Sequence, residues 1–162
     1  MNYTLRLFLC ALIPLVALIV GRSYAVYCKK RLSELEALAA LLSQMEKGIT
    51  VSLSTPRELF SSLKLPELYD FTERVRSGES LYDAASRVMP RLVISEDTKE
   101  KALEYFSEFG ESYRDGELKR LELFRRELIA DKRDEEERAE TRIRLCYTLL
   151  FAAALSVVIM LL

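Results

Sequence analysis

The chain has 162 residues, half of them hydrophobic and 30% charged, with 24 basic and 25 acidic side chains giving a formal net charge of -1. That balance supplies no global attraction for nucleic acid. The complete absence of histidine excludes His-based triads, His-x-x-x-His zinc sites and the commonest general base at neutral pH.

So much charge beside so much apolar bulk implies that the two are segregated into blocks, one domain plus membrane anchoring. Cys10, Cys28 and Cys146 make no Cys-x-x-Cys pair, and their odd number argues against a disulfide framework. They read as small apolar fillers, with acylation of Cys28 or Cys146 as the alternative, since both lie where a helix would meet a lipid interface.

Met1 to Arg6 is a short head, followed by an apolar run from Leu7 to Gly21. Two readings compete. A signal peptide would use Arg6 as its basic start and Ser23-Tyr24-Ala25 as its small-x-small cleavage site. A retained anchor over 1–28 would continue through Arg22, and it is favoured because Lys29-Lys30-Arg31 follows at once and resists translocation. The matching run lies at 145–162, with no side chain charged at neutral pH after Arg144. It reaches the lower limit of about 17–25 residues needed to cross a hydrocarbon core roughly 30 Å thick. The alternative, a buried core helix, is disfavoured because nothing polar follows to cap it.

Arg22, Lys29, Lys30 and Arg31 flank the first span and Arg133, Arg138, Arg142 and Arg144 precede the second, which assigns the middle of the chain to the cytoplasm. Ala17, Gly21 and Ala25 repeat at four-residue spacing, as do Ala152 and Ser156. Such small-residue faces let membrane helices approach closely.

Between the spans the periodicity is helical. Leu32, Leu35, Leu38, Ala39, Leu42, Met45 and Ile49 form one inward stripe, with Glu34, Glu36, Gln44 and Glu46 on the polar side. Gly48 weakens this helix, and Thr50 to Ser54 is expected to turn. Thr55-Pro56-Arg57-Glu58 supplies a cap, a first-turn proline and a capping-box glutamate for a helix through Leu59, Phe60 and Leu63.

Pro66 starts another piece with Leu68, Phe71, Thr72 and Val75 inward, stopped by Gly78. Ser80 to Met89 is a short helix closed by Pro90. Ser95 opens the next, with Glu96 and Asp97 suiting its N-terminal dipole and Leu103, Phe106 and Phe109 on the core side until Gly110. After an expected turn at Asp115-Gly116, a long charged helix over 117–144 places Leu118, Leu121, Phe124, Leu128 and Ile129 inward. Its opposite charges four apart, such as Lys132 and Glu136, support it in water as far as the terminal span. No alternating strand pattern occurs. The expected fold is all-α: a cytoplasmic antiparallel helical bundle over 29–116, completed by the charged helix, between N-terminal and C-terminal transmembrane helices.

The chemistry available is sparse. The five glycines are isolated and none belongs to a phosphate loop. Carboxylates around Glu135 point to several helix faces and interleave with arginines, which reads as a solvated stalk rather than a metal site. Arg74, Arg76, Arg87 and Arg91 gather around two short helices and form a candidate basic patch for an acidic partner, against the alternative of an ordinary wet surface. No catalytic residue, cofactor, metal or small-molecule substrate is expected, nor a nucleic-acid partner.

Leu41-x-x-x-Met45-Glu46-x-x-Ile49 leads to Thr55-Pro56 and Leu59, Gly78-x-x-Leu81-x-x-Ala84 follows, and Phe109-Gly110-Glu111 stands near Asp115 and Gly116. With these motifs between two apolar ends, the arrangement resembles the stage III sporulation protein AB family. The chain departs from the family pattern at Tyr113-Arg114, where a Leu-Gly pair is usual, and at Ala152, Ala153 and Ala154, which replace glycines. That family is similar in its helical domain to the F-type platform proteins of type II secretion and type IV pilus machines. The resemblance implies a subunit of a channel complex in the mother-cell membrane around the forespore, whose bundle couples a secretion-type ATPase to other membrane subunits. A membrane-tethered helical adaptor unrelated to secretion would use the same architecture.

Overall fold

The computed structural model describes residues 3–51, 65–110 and 113–161, all of whose regular structure is helical. Among the described residues five α-helices follow in order: α1 (Tyr3–Val51), α2 (Tyr69–Ser77), α3 (Leu81–Val88), α4 (Glu96–Ser107) and α5 (Arg114–Leu161), with 3-10 turns at Pro66–Leu68 and Met89–Arg91. They form two compact units, one of Met1–Lys29 with Glu135–Leu162 and one of Lys30–Asp134. The expected helix after Thr55-Pro56 lies outside the described residues.

In the Lys30–Asp134 unit the core follows from helical spacing. Leu35, Leu38, Leu42 and Met45 of α1 are buried with Leu68, Phe71 and Val75, and with Leu121, Phe124 and Leu128 of α5. Aromatic rings join the layers: Phe71 meets Phe106 at 5.3 Å between centroids, and Tyr105 stacks on Phe124 at 5.4 Å. Caps set the short helices. The Ser80 hydroxyl accepts the Asp83 N–H at 3.0 Å, and the Ser95 hydroxyl accepts the Thr98 N–H at 3.1 Å. Gly78 ends α2 in the left-handed region at φ 106°, where a side chain would be strained.

Several expectations are corrected. Asp115-Gly116 is no turn but the first turn of α5, whose Tyr113 carbonyl already accepts the Glu117 N–H at 3.0 Å. The chain reverses instead at Gly110, with φ 92°, and the buried Glu117 carboxylate reaches back to accept the Gly110 N–H at 3.1 Å. Helix α1 runs on through Gly48 and Thr50 to Val51. Ile129 is 51% exposed, because the inner stripe of α5 is Glu117, Leu121, Phe124 and Leu128, and residue 129 lies about 100° further round the helix. Phe106 of α4 is buried as expected together with Ala102 and Tyr105, and Leu103 and, beyond the helix end, Phe109 pack partly buried against the same core. Glu34, expected on the polar side, is buried.

Among the described residues no helix is long and apolar enough to cross a membrane. The expected spans over 1–28 and 145–162 fall partly on residues outside that set.

Candidate partner-binding surfaces

The four arginines singled out by sequence sit on α2, α3 and the turn after it. Asp70 and Arg74 are one turn apart on α2, and the Arg74 Nε approaches Asp70 Oδ1 at 3.1 Å. Gly78 swings the chain back so that the Glu79 N–H bonds to the Arg74 carbonyl and Glu79 Oε1 takes Arg74 Nη1 at 3.2 Å. Arg87 of α3 reaches the same Glu79 oxygen at 4.0 Å, while Arg91, presented by the proline turn, reaches Asp70 Oδ2 at 3.2 Å.

The result is a chain of alternating charge, Arg91, Asp70, Arg74, Glu79 and Arg87, with three guanidiniums sharing two carboxylates. Arg76 is not part of it and pairs with Glu73 at 2.9 Å. Each exposed pair stabilises by no more than about 1 kcal/mol. What the network does is orient the outer ends, because Arg87 and Arg91 are four residues apart with side chains 61% and 70% exposed. An anionic partner would therefore meet two presented guanidiniums rather than a bare basic patch. Asp70 was legible as the i,i+4 companion of Arg74, whereas its pairing with Arg91, 21 residues away, has no local signal.

In the unit of Met1–Lys29 with Glu135–Leu162, Gly21 is buried against Tyr147 of α5. A Cβ at position 21 would stand 2.6 Å from Tyr147 Cε1. A cavity of about 360 Å³ opens beside this contact, lined by Pro14, Ala17, Leu18, Phe151 and Ala154 among others. Ala25 is half-buried. Ala152 and Ser156 are exposed, the Ser156 hydroxyl donating to the Ala152 carbonyl at 2.9 Å, and the buried small residue of that stretch is Ala154. Three consecutive alanines at 152–154 carry no periodicity that could distinguish these faces.

Between α4 and α5 the Tyr105 hydroxyl is buried with no hydrogen-bond partner among the described residues. Burial, and then the negative charge of Glu117, push its titration upward against the opposing pull of Arg120, so the phenol stays protonated. Beside it, the exposed Leu123 lines two open cavities whose rims carry charge of both signs, Lys119, Arg120, Glu122 and Arg126 in one and Lys101, Glu104, Glu108, Arg120 and Glu127 in the other. Among the described residues no three His, Cys, Asp or Glu side chains are placed to hold a metal ion.

No curated protein and no solved structure matches the chain. The family model of stage III sporulation protein AB matches residues 6–162, nearly the full length, and the chain belongs to that family.

Proposed function

We propose that this sporulation protein is a non-catalytic platform subunit, held in the mother-cell membrane by 1–28 and 145–162, with 29–144 in the cytoplasm. There it docks a secretion-type ATPase and couples it to other membrane subunits of a channel leading to the forespore. Family membership supports the sporulation setting. The membrane part is carried by one observation: Leu15, Val16, Leu18, Ile19 and Val20 of α1, and Leu149, Phe151, Leu155, Val157 and Ile159 of α5, are all exposed.

No charged residue interrupts either stretch. Contiguous apolar surface of this kind costs about 25 cal/mol per Å² in water and is relieved by hydrocarbon. Docking rather than chemistry suits the remainder, where Arg87 and Arg91 are held outward by Glu79 and Asp70.

The test is fractionation of sporulating cells followed by affinity capture of the full chain. Retention of the protein in membranes after alkaline carbonate extraction, and co-capture of the ATPase that is lost in Arg87→Ala/Arg91→Ala while the helical melt is kept, would support the proposal. Membrane retention without the ATPase would favour a tethered adaptor unrelated to secretion.

A further inference from the structure

We infer that the charged end of the helix pair formed by Met1–Lys29 and Glu135–Leu162 is a belt that binds the phosphate headgroups of anionic phospholipids. The inference rests on the membrane reading above and adds to it a lipid preference with named residues. Four cations form the belt: Arg22 and Lys29 on α1, and Arg142 and Arg144 on α5, all exposed. Among the described residues Arg22, Lys29 and Arg144 pair with no carboxylate, and Arg142 approaches Glu135 only at 4.0 Å.

Their level along the helices follows from the contact of Gly21 with Tyr147, since α1 and α5 run antiparallel here, with Pro14 and Ala17 beside Phe151 and Ala154. Counting from that contact at about 1.5 Å per residue, the four cations occupy a band about 10 Å deep. One carboxylate, Glu140, falls at the same level, which leaves the band a net cationic surface.

Two further features place this band at a lipid interface. On one side of it the exposed side chains are uncharged and, Ser156 apart, apolar, from Val20 back to Leu15 on α1 and from Leu149 on to Ile159 on α5. Tyr147 stands at the boundary and Tyr27 about 9 Å further along, within the band; both are amphipathic rings that are partly exposed, as at the headgroup level of a bilayer. A phosphodiester there would receive charge-assisted hydrogen bonds from the guanidiniums while its acyl chains cover the apolar side chains. Free phosphate would satisfy the cations alone. Continuity with the apolar surface is the reason to assign the belt to lipid.

The experiment uses the full chain reconstituted into bilayers of equal phosphatidylglycerol and phosphatidylcholine, extracted in mild detergent, with the co-extracted lipids quantified by mass spectrometry. The wild type is expected to retain phosphatidylglycerol over phosphatidylcholine by about fivefold or more, the ratio that about 1 kcal/mol for an engaged cation corresponds to. The variant Arg22→Gln/Lys29→Gln/Arg142→Gln/Arg144→Gln, with its helix content checked by circular dichroism, is expected to retain the two lipids equally.

Equal retention by the wild type, or unchanged enrichment in the variant, overturns the belt while leaving membrane insertion intact. Release of the reconstituted wild type by alkaline carbonate overturns the membrane reading itself. A rise in the thermal midpoint of the detergent-purified protein with inorganic phosphate, equal to that with phosphatidylglycerol, assigns the band to free phosphate and overturns the lipid assignment.

Discussion

Glu34 offers the sharpest test of how the Lys30–Asp134 unit is held together. Its side chain is 3% exposed, and its carboxylate accepts the backbone N–H of Val93 in the segment before α4, with Lys30 Nζ at 3.8 Å from the other oxygen. A hydrogen bond to a charged group contributes about 1.5–3 kcal/mol, and a neutral one about 0.5–1.5 kcal/mol. Glu34→Gln keeps the length and an acceptor and is expected to cost about 1 kcal/mol. Glu34→Ala removes the acceptor, strands the Val93 N–H and empties the space of the stem, for about 2–4 kcal/mol in all.

Chemical unfolding of the full chain in detergent, followed by circular dichroism, reads the total. Amide exchange at Val93 reads the bond itself, and should accelerate in Glu34→Ala far more than in Glu34→Gln. If both variants lose the same stability and Val93 exchanges at the wild-type rate in each, the carboxylate is not the acceptor and the reasoning fails.

Gly21→Ala drives a Cβ into the Tyr147 ring, a clash of about 1–3 kcal/mol that outweighs the gain of about 1 kcal/mol from replacing a helical glycine. In a Tyr147→Ala background the same substitution should stabilise, so a double-mutant cycle by detergent unfolding should change sign; equal effects in both backgrounds would refute the contact. Glu67 accepts the Ser33 hydroxyl, and this bond, followed by one from its own backbone N–H, holds its carboxyl below the ordinary range. Its contribution is complete above the ordinary carboxylate pKa and is lost as pH falls through the lowered folded value. Ser33→Ala should therefore flatten the acid side of the stability profile, measured as thermal midpoint against pH.

Much of the helical grammar was local and so was readable from the chain. Ser80 and Ser95 accept the N–H three residues on, and Gly78 takes the left-handed conformation that stops α2. Leu68, Phe71, Thr72 and Val75 turn inward as their spacing requires. These features depend on residues within a turn of one another, and no distant partner has to be known.

Which face of a charged helix meets the core was decided only by tertiary structure. Glu34 turns inward because an unpaired N–H of Val93, 59 residues away, needs an acceptor, and Ile129 turns outward because the Glu117-to-Leu128 stripe already fills the interface. The arginine patch became an alternating ladder for the same reason, since Arg91 finds Asp70 only after α2 and α3 are packed. Periodicity specifies that a stripe exists, and caps specify where it begins; the partner that a buried or pairing group will meet is a property of the assembled helices.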